Sequence, residues 1–518
     1  MKNLIFCTFL VLLSYSCQET QEHSVTERAP YTEAHRPQFH FSPESGWMND
    51  PNGMVYFEGE YHLFYQYYPY ASIWGPMHWG HAVSKDLQHW EHLPIALYPD
   101  EHGMIFSGSA VIDWKNTSGF GDGKTPPMIA IYTYHNMLGE RSGKADFQTQ
   151  GIAYSLDKGR TWTKYDKNPV IRNPGIRDFR DPKVSWHEPT QKWVMILAAK
   201  NRVQIYNSTD LKQWSFASEF GKDSAPQLGV WECPDLFPLA IEGSDQQKWV
   251  MIVSHGGGGP NGGSCTRYFV GDFDGSTFSS DYPVEQVNWL DYGKDNYAGV
   301  SWSDIPAADG RRLFLGWMSN WEYATKVPTS KWRSAMTIPR ELSLKNTPNG
   351  LQLFSNPAKE MAGLRKEAID ISESKVTGHT LIKEINAGSF EVELTFDLAQ
   401  SDSKSFGIEF GNANGEHIRI GYDKASSFMI VDRSNAGKMD FSPAFPGLHY
   451  IPFTPTEGEM KWQIFLDHSS MELFLNDGAI AFTTIFFPTT NFDQVHLFAF
   501  DGMATLSNGL MHELKGIW

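Results

Sequence analysis

Three acidic residues stand in settings that surface carboxylates seldom occupy. Asp50 lies in Trp47-Met48-Asn49-Asp50-Pro51-Asn52-Gly53, between two short amides and behind a Trp-Met pair. Asn49 and Asn52 bond their own backbone and favour turns. Pro51 fixes its own φ and pushes Asp50 toward an extended backbone, and Gly53 admits shapes that other residues resist. Asp181 lies in Asp178-Phe179-Arg180-Asp181-Pro182-Lys183-Val184, and Glu232 in Trp231-Glu232-Cys233-Pro234-Asp235-Leu236-Phe237. A guanidinium next to a carboxyl keeps it ionised, which is the expectation for Asp181. A buried carboxyl among apolar groups has its pKa raised, which would suit Glu232 to proton donation. Singly, each acid fits a turn or a salt-bridged surface. Together they suggest three different roles.

The elements that must position them are strands. From about residue 38 to 345 strand patterns recur at short intervals, with almost no helical periodicity. Met54-Val55-Tyr56-Phe57 and Tyr61 to Gln66 flank Glu58-Gly59-Glu60, a hairpin signal. Two pieces repeat. Lys192-Trp193-Val194-Met195-Ile196 returns as Lys248-Trp249-Val250-Met251-Ile252. Ser84-Lys85-Asp86-Leu87-Gln88-His89-Trp90 returns at Ser208 to Trp214, and more loosely at Ser155 to Trp162. A repeat of roughly 50–70 residues built from strands suggests propeller blades, about five over this length. Each S-x-D then marks a tight turn, with its Trp packed between blades. The inner strands of a propeller face a central channel, so residues far apart in sequence meet at one mouth. Asn356 to Leu364 breaks the strand rhythm and suggests a short helix, after which alternating strands with an Asn476-Asp477-Gly478 turn read as a β-sandwich. The expected architecture is all-β, a five-bladed propeller over 38–345, a linker over 346–368 and a sandwich over 369–518.

A formal charge of −17 argues against nucleic acid, which needs a basic face. An uncharged polymer is compatible, and 18 Trp supply flat faces for carbohydrate. At the N-terminus Lys2 precedes a short apolar run, Leu4 to Leu13, too short to span a bilayer permanently. Ser14-Tyr15-Ser16-Cys17 then resembles a lipoprotein cleavage site, giving a signal peptide over 1–16, lipidation of Cys17 and a polar, disordered tether over 17–37. The expected location is the outer membrane, on its periplasmic or outer face. Cys233 and Cys265 alone remain, too few for a disulfide framework or a zinc cluster.

The blocks around Asp50, Asp181 and Glu232, in that order, resemble the three signature motifs of glycoside hydrolase family 32, the group of invertases, inulinases, levanases and fructan β-fructosidases. Phe64-Tyr65-Gln66-Tyr67, Trp74 to Ala82, Phe106-Ser107-Gly108-Ser109-Ala110, Gly316 to Trp321 and Pro339 to Leu342 are similar to further family blocks, so the resemblance spans the mature chain. It implies a propeller followed by a sandwich, and a retaining hydrolase releasing fructose from levan, inulin and, as a further candidate, sucrose. It implies Asp50 as nucleophile, Glu232 as general acid and then base, and Asp181 as stabiliser of the transition state. It places Asn49, Gln66, Trp74, Phe106, Ser107, Arg180, Tyr297 and Trp317 around the fructose. No metal and no cofactor are expected. Its blocks and loop lengths resemble those of exo-acting members, so exo action is expected, with endo action as an alternative. A lipid-anchored fructan-binding protein without catalysis is the alternative from another class, and the three intact acids argue against it.

Two other features invite chemistry and are set aside. The glycine-rich run from His255 to Ser264 lacks the Gly-Lys-Ser/Thr ending of a phosphate loop and reads as a flexible connection. His78 and His81 sit in an aromatic block and read as packing groups.

Overall fold

The computed structural model describes residues 31–222, 228–372, 375–385, 388–455 and 458–518. The apolar run and Cys17 lie outside them. Residues 46–357 hold five sheets, antiparallel but for the short parallel pairing of Gly46 and Trp47 with Trp332 and Arg333. Their inner strands are Gly46–Phe57, Met104–Ile112, Phe179–His187, Trp231–Ala240 and Tyr297–Ser301. Each inner strand touches the next, and the fifth touches the first, so the ring closes around one axis. This is the five-bladed propeller read from the repeats.

The repeats have a structural cause. The S-x-D segments are the turns from the third to the fourth strand of blades 1, 2 and 3. In blade 1 the Asp86 Oδ1 accepts from Ser84 Oγ at 3.1 Å and from the backbone N–H of Gln88 and His89 at 2.9 and 2.8 Å. Asp210 takes the same bonds in blade 3. The carboxylate closes a turn whose next residue, Leu87, Lys158 or Leu211, has φ near +60°. Trp162, from the blade 2 copy, meets Phe64 of blade 1 edge-on at 5.6 Å. The Lys-Trp-Val-Met-Ile copies are the second strands of blades 3 and 4, fully flanked and mostly buried.

Two expectations about boundaries change. Gly350–Pro357 is not linker but the outer strand of blade 5, paired with Arg340–Thr347 across a tight turn at Pro348-Asn349. That Thr-Pro-Asn-Gly stretch is itself a hairpin signal, Thr347 to Gly350. Only Lys359–Leu364 is helical, as a 3-10 turn. The chain is also packed from Tyr31 onward rather than forming a tether to residue 37. Tyr31 stacks on Trp518 at 4.1 Å. Arg36, fully buried, donates to Ser42 Oγ and the Pro43 carbonyl at 3.1 and 2.7 Å. Composition reads this stretch as polar because it cannot show that the charges are consumed internally.

The C-terminal β-sandwich has two sheets joined by one strand, Gln494–Leu514. Up to Phe500 this strand pairs with Ser405–Gly411, and from Thr505 with Phe390–Asp397. It changes sheets at Asp501 and Gly502, whose φ values are 54° and 135°. Phe390, Phe396, Phe406 and Phe410 fill the space between the sheets.

Buried charges join sandwich to propeller. Arg340 of blade 5 donates to Glu472 and Thr483 of the sandwich and, at 2.9 Å, to Asp291. His40 is clamped between Asp467 at 2.8 Å and Glu472 at 3.0 Å. Burial alone would lower the His40 pKa, but both carboxylates hydrogen-bond it and carry it up to about 9. A histidine whose folded pKa exceeds its ordinary 6.5 adds stability below that value and loses it as pH rises through about 9. The thermal midpoint is therefore expected to fall between those two pH values, and to fall less steeply in His40→Gln. Parallel melting curves across that range check it, and equal slopes would remove His40 as the cause.

Candidate active site

Every inner strand carries one extra residue near its start. In blade 1, Asn49 pairs with Gln66 and Pro51 with Tyr65, leaving Asp50 unpaired. In blade 2, Phe106 and Ser107 span one partner residue between the Ile105–Tyr134 and Gly108–Tyr132 pairs. Asp181 and Pro182 do so in blade 3, Cys233 and Pro234 in blade 4, Ala298 and Gly299 in blade 5. These are β-bulges, which re-aim side chains at barrel and propeller rims. Aligned on the bulge, the blades read Asn49-Asp50-Pro51, Ile105-Phe106-Ser107, Arg180-Asp181-Pro182, Glu232-Cys233-Pro234 and Tyr297-Ala298-Gly299. The third residue is Pro or Gly in blades 1, 3, 4 and 5. Asp181, Cys233 and Ala298 have φ of 65°, 43° and 54°, a conformation non-glycine residues seldom adopt. Such strain persists where the surroundings hold it and gathers at functional sites.

The five bulges bring the expected acids together. Asp50 accepts from Asn49 Nδ2 at 2.9 Å and from Ser107 Oγ at 2.6 Å. The Cys233 thiol lies 3.5 Å from Asp50 Oδ2 and 3.7 Å from Asp181 Oδ2, so one sulfur touches both aspartates. Asp181 also accepts from the Cys233 backbone N–H at 3.0 Å. Glu232 is held by Arg180 Nη2 at 2.5 Å on one oxygen and by the Tyr297 hydroxyl on the other. Arg180 is fixed in turn by Asp178 at 2.7 Å.

The arginine corrects an expectation. Adjacent in sequence to Asp181, its guanidinium lies 3.9 Å from that carboxyl but hydrogen-bonds Glu232. Successive side chains of a strand point to opposite faces, and the bulge adds its own turn. Burial, with the charges of Glu232 and Asp50, outweighs the arginine and pushes Asp181 up to about 7. Burial likewise raises Asp50, against the bonds from Ser107 and Asn49 and with the charge of Glu232. Burial, and then the surrounding acids, drive the Cys233 thiol well above its ordinary value.

The remaining expected residues line the same mouth. Trp47 Nε1 donates to Asn49 Oδ1 at 2.7 Å and sets which way that amide turns. Gln66, beside Asn49 in the ladder, has a buried Nε2 with no partner among the described residues, as has Trp317 Nε1. Such donors beside three acids are placed for ligand oxygens. Trp317 packs against Tyr297 and Trp321 at 6.3 and 4.9 Å. Trp74 meets Phe106 edge-on at 6.2 Å, and Phe106 stacks on His135 at 4.2 Å. Asn, Gln and carboxylates that bond hydroxyls, with indole and phenyl faces, form a pocket suited to a sugar ring.

Sequence reasoning passed over Cys233, Asp178, Trp47 as an orienting donor, and Thr133, whose Oγ1 accepts from the Asp181 backbone N–H at 2.9 Å. The signal for Cys233 was present, since it occupies the position in Glu-Cys-Pro that the aspartates occupy in Asn-Asp-Pro and Arg-Asp-Pro. His81 is a packing group, stacked on Phe64 at 4.0 Å. The glycine-rich run is anchored to the sandwich, with Asn261 exchanging hydrogen bonds with the Tyr450 backbone.

Comparisons with known proteins agree across the chain. Residues 40–357 match the model of the glycosyl hydrolases family 32 N-terminal domain, and 360–513 that of the family 32 C terminal. A levanase of Bacillus subtilis (strain 168) is 50% identical over 520 residues, 99% of this chain and 75% of the relative. The crystal structure of an exo-inulinase from Aspergillus awamori superposes with a TM-score of 0.87 at 38% identity, over 94% of this chain and all of that one. A fructofuranosidase from Schwanniomyces occidentalis complexed with fructose superposes at 0.85 and 34%, with 94% and 100% covered.

The Cys233 and Cys265 thiols are both free and buried. Iodoacetamide at pH 8 is expected to leave both unmodified in the folded protein and to modify both in denaturant, read by peptide mass spectrometry. Rapid labelling of native Cys233 would contradict the burial that sets this site's electrostatics.

Proposed function

We propose a mechanism from the premise that this chain belongs to glycosyl hydrolase family 32. It is a glycosidase that hydrolyses fructans. In our reading it is a retaining, exo-acting enzyme that removes terminal fructose by double displacement. The observation that carries the reading is the single sulfur of Cys233 in contact with both Asp50 and Asp181, one residue along from Glu232.

The Asp50 carboxylate attacks C2 of the terminal fructose while Glu232 gives its proton to the departing glycosidic oxygen. The C2–O bond to the rest of the chain breaks and a fructosyl ester on Asp50 forms. Glu232, now a carboxylate, takes a proton from water. The resulting hydroxide attacks C2, releases fructose and restores Asp50. Double displacement asks for working carboxyl groups about 5–5.5 Å apart. Asp181 and Arg180 hold ring hydroxyls as positive charge develops. Asn49 and Gln66 bond further hydroxyls, and Trp74, Phe106 and Trp317 bound the ring. Ser107 keeps Asp50 ionised and aimed, and Tyr297 orients Glu232.

The likeness to an exo-inulinase supports exo action, and with the extracellular naming of relatives it supports export. We extend this to anchoring through a lipid on Cys17, on the strength of the apolar run and the Ser16-Cys17 junction.

A product time course on levan, inulin and sucrose tests the reading. Fructose alone from the earliest point is expected, and the fastest polymer names the linkage. Early oligosaccharides would overturn exo action.

Asp50 must be ionised to attack, and its bond from Ser107 opposes the rise caused by burial. Ser107→Ala removes that bond and raises the pKa further. A hydrogen bond to a charged group is worth about 1.5–3 kcal/mol, so the acid limb of kcat/KM should move up by roughly one to two pH units. An unmoved limb would release Asp50 from the nucleophile role.

A further inference from the structure

We propose that the outer face of the sandwich carries a metal site of the zinc class, built from His379, Glu409 and His496. The three residues come from neighbouring strands, Val376–Glu384, Ser405–Gly411 and Gln494–Leu514. His496 lies directly opposite Glu409 in one ladder and opposite Leu381 in the other. His379, two residues from Leu381, therefore shares its face.

The donor atoms converge. One ligand atom from each residue lies within 4.8 Å of the other two. His379 Nε2 is 3.1 Å from Glu409 Oε1, and the imidazoles stack at 4.6 Å. His496 Nδ1 is buried and has no partner among the described residues. The other oxygen of Glu409 is taken by Arg419, through Nε at 2.7 Å and Nη2 at 2.5 Å. Arg419 thus fixes the carboxylate with Oε1 turned to the histidines, as an outer partner orients a metal ligand. Its positive charge also weakens the attraction for a cation. Burial and the neighbouring His379 lower the His496 pKa, which favours the neutral imidazole that ligation needs.

Two imidazoles and one carboxylate suit Zn²⁺ or a similar first-row ion, whereas calcium and magnesium prefer oxygen alone. Bonds of about 2.0–2.2 Å would draw the donors closer than they stand, and exposed His379 has room to swing inward.

The strand that His379 comes from gives the site a purpose. Of its nine residues only Val376 is buried, and it pairs on one side alone. Little apolar area fastens this edge, and edge strands invite unwanted pairing. An ion held by His379 on the edge and by Glu409 and His496 beneath it would fasten the edge. The site lies in the sandwich, away from the three acids, and takes no part in the reaction.

The test uses the whole protein after treatment with a chelator and its removal. Calorimetric titration with Zn²⁺ is expected to show one ion per chain. Bound Zn²⁺ should raise the thermal midpoint and slow amide exchange in residues 376–384. His379→Ala and His496→Ala should each weaken Zn²⁺ binding at least tenfold while releasing fructose at the parent rate, which shows that both variants fold. Failure of the parent to bind one equivalent, or unchanged binding in both variants, would overturn the proposal.

Discussion

The extra residue in each inner strand is the constraint on which the site depends. A regular strand alternates its side chains between two faces, so Arg180 and Asp181, or Glu232 and Cys233, would be separated by the sheet. The bulge breaks that alternation at the same height in all five blades. Because the strands form a ring, five local irregularities become one concerted feature at the channel mouth. The Pro or Gly at the third position in blades 1, 3, 4 and 5 fits the cause, since a proline offers no N–H to the ladder and a glycine resists no backbone shape.

Gathering acids in a buried mouth has an electrostatic consequence. Desolvation penalises the charged forms of Asp50 and Asp181, and the neighbouring charge of Glu232 adds to it. Asp181 and Asp50 rise for both reasons, and a single guanidinium is shared mainly between Glu232 and Asp178. Small contacts then decide which acid keeps its proton. The hydroxyls of Ser107 and Tyr297 and the backbone N–H of Cys233 each meet one carboxyl. In that sense the site is tuned by hydrogen bonds against a common burial penalty.

The sandwich is tied to the propeller by charge rather than by apolar area alone. Arg340 with Asp291 and Glu472, His40 with Asp467 and Glu472, and Arg433 with Asp295 are all buried. Pairs of this kind fix geometry, because removing one partner strands a charge in the interior. Asp291 and Asp295 precede the inner strand that carries Tyr297, so the docking of the sandwich bears on where the partner of Glu232 stands.

Much of this was legible in the residues. The S-x-D turns repeat because a short carboxylate closes the same turn in three blades, and the Lys-Trp-Val-Met-Ile copies because two second strands share one environment. The three acids stood out through their neighbours, since Trp, Pro and Cys beside an acid announce burial. Local chemistry of this kind is written in order along the chain. What the chain order could not show was contact. It set Arg180 beside Asp181, but folding turned the guanidinium toward Glu232. It could not show that one thiol would touch two aspartates or that residues 31–37 would pack, and the hairpin signal at Thr347 to Gly350 did not say which sheet its second strand would complete. Strand patterning and repeats in the sequence determined the fold class, because turns and strand periodicity are local, and the resemblance of three short motifs to a family singled out the acids. Only the closed ring decided which groups meet and which are desolvated, because distance and burial are properties of the whole.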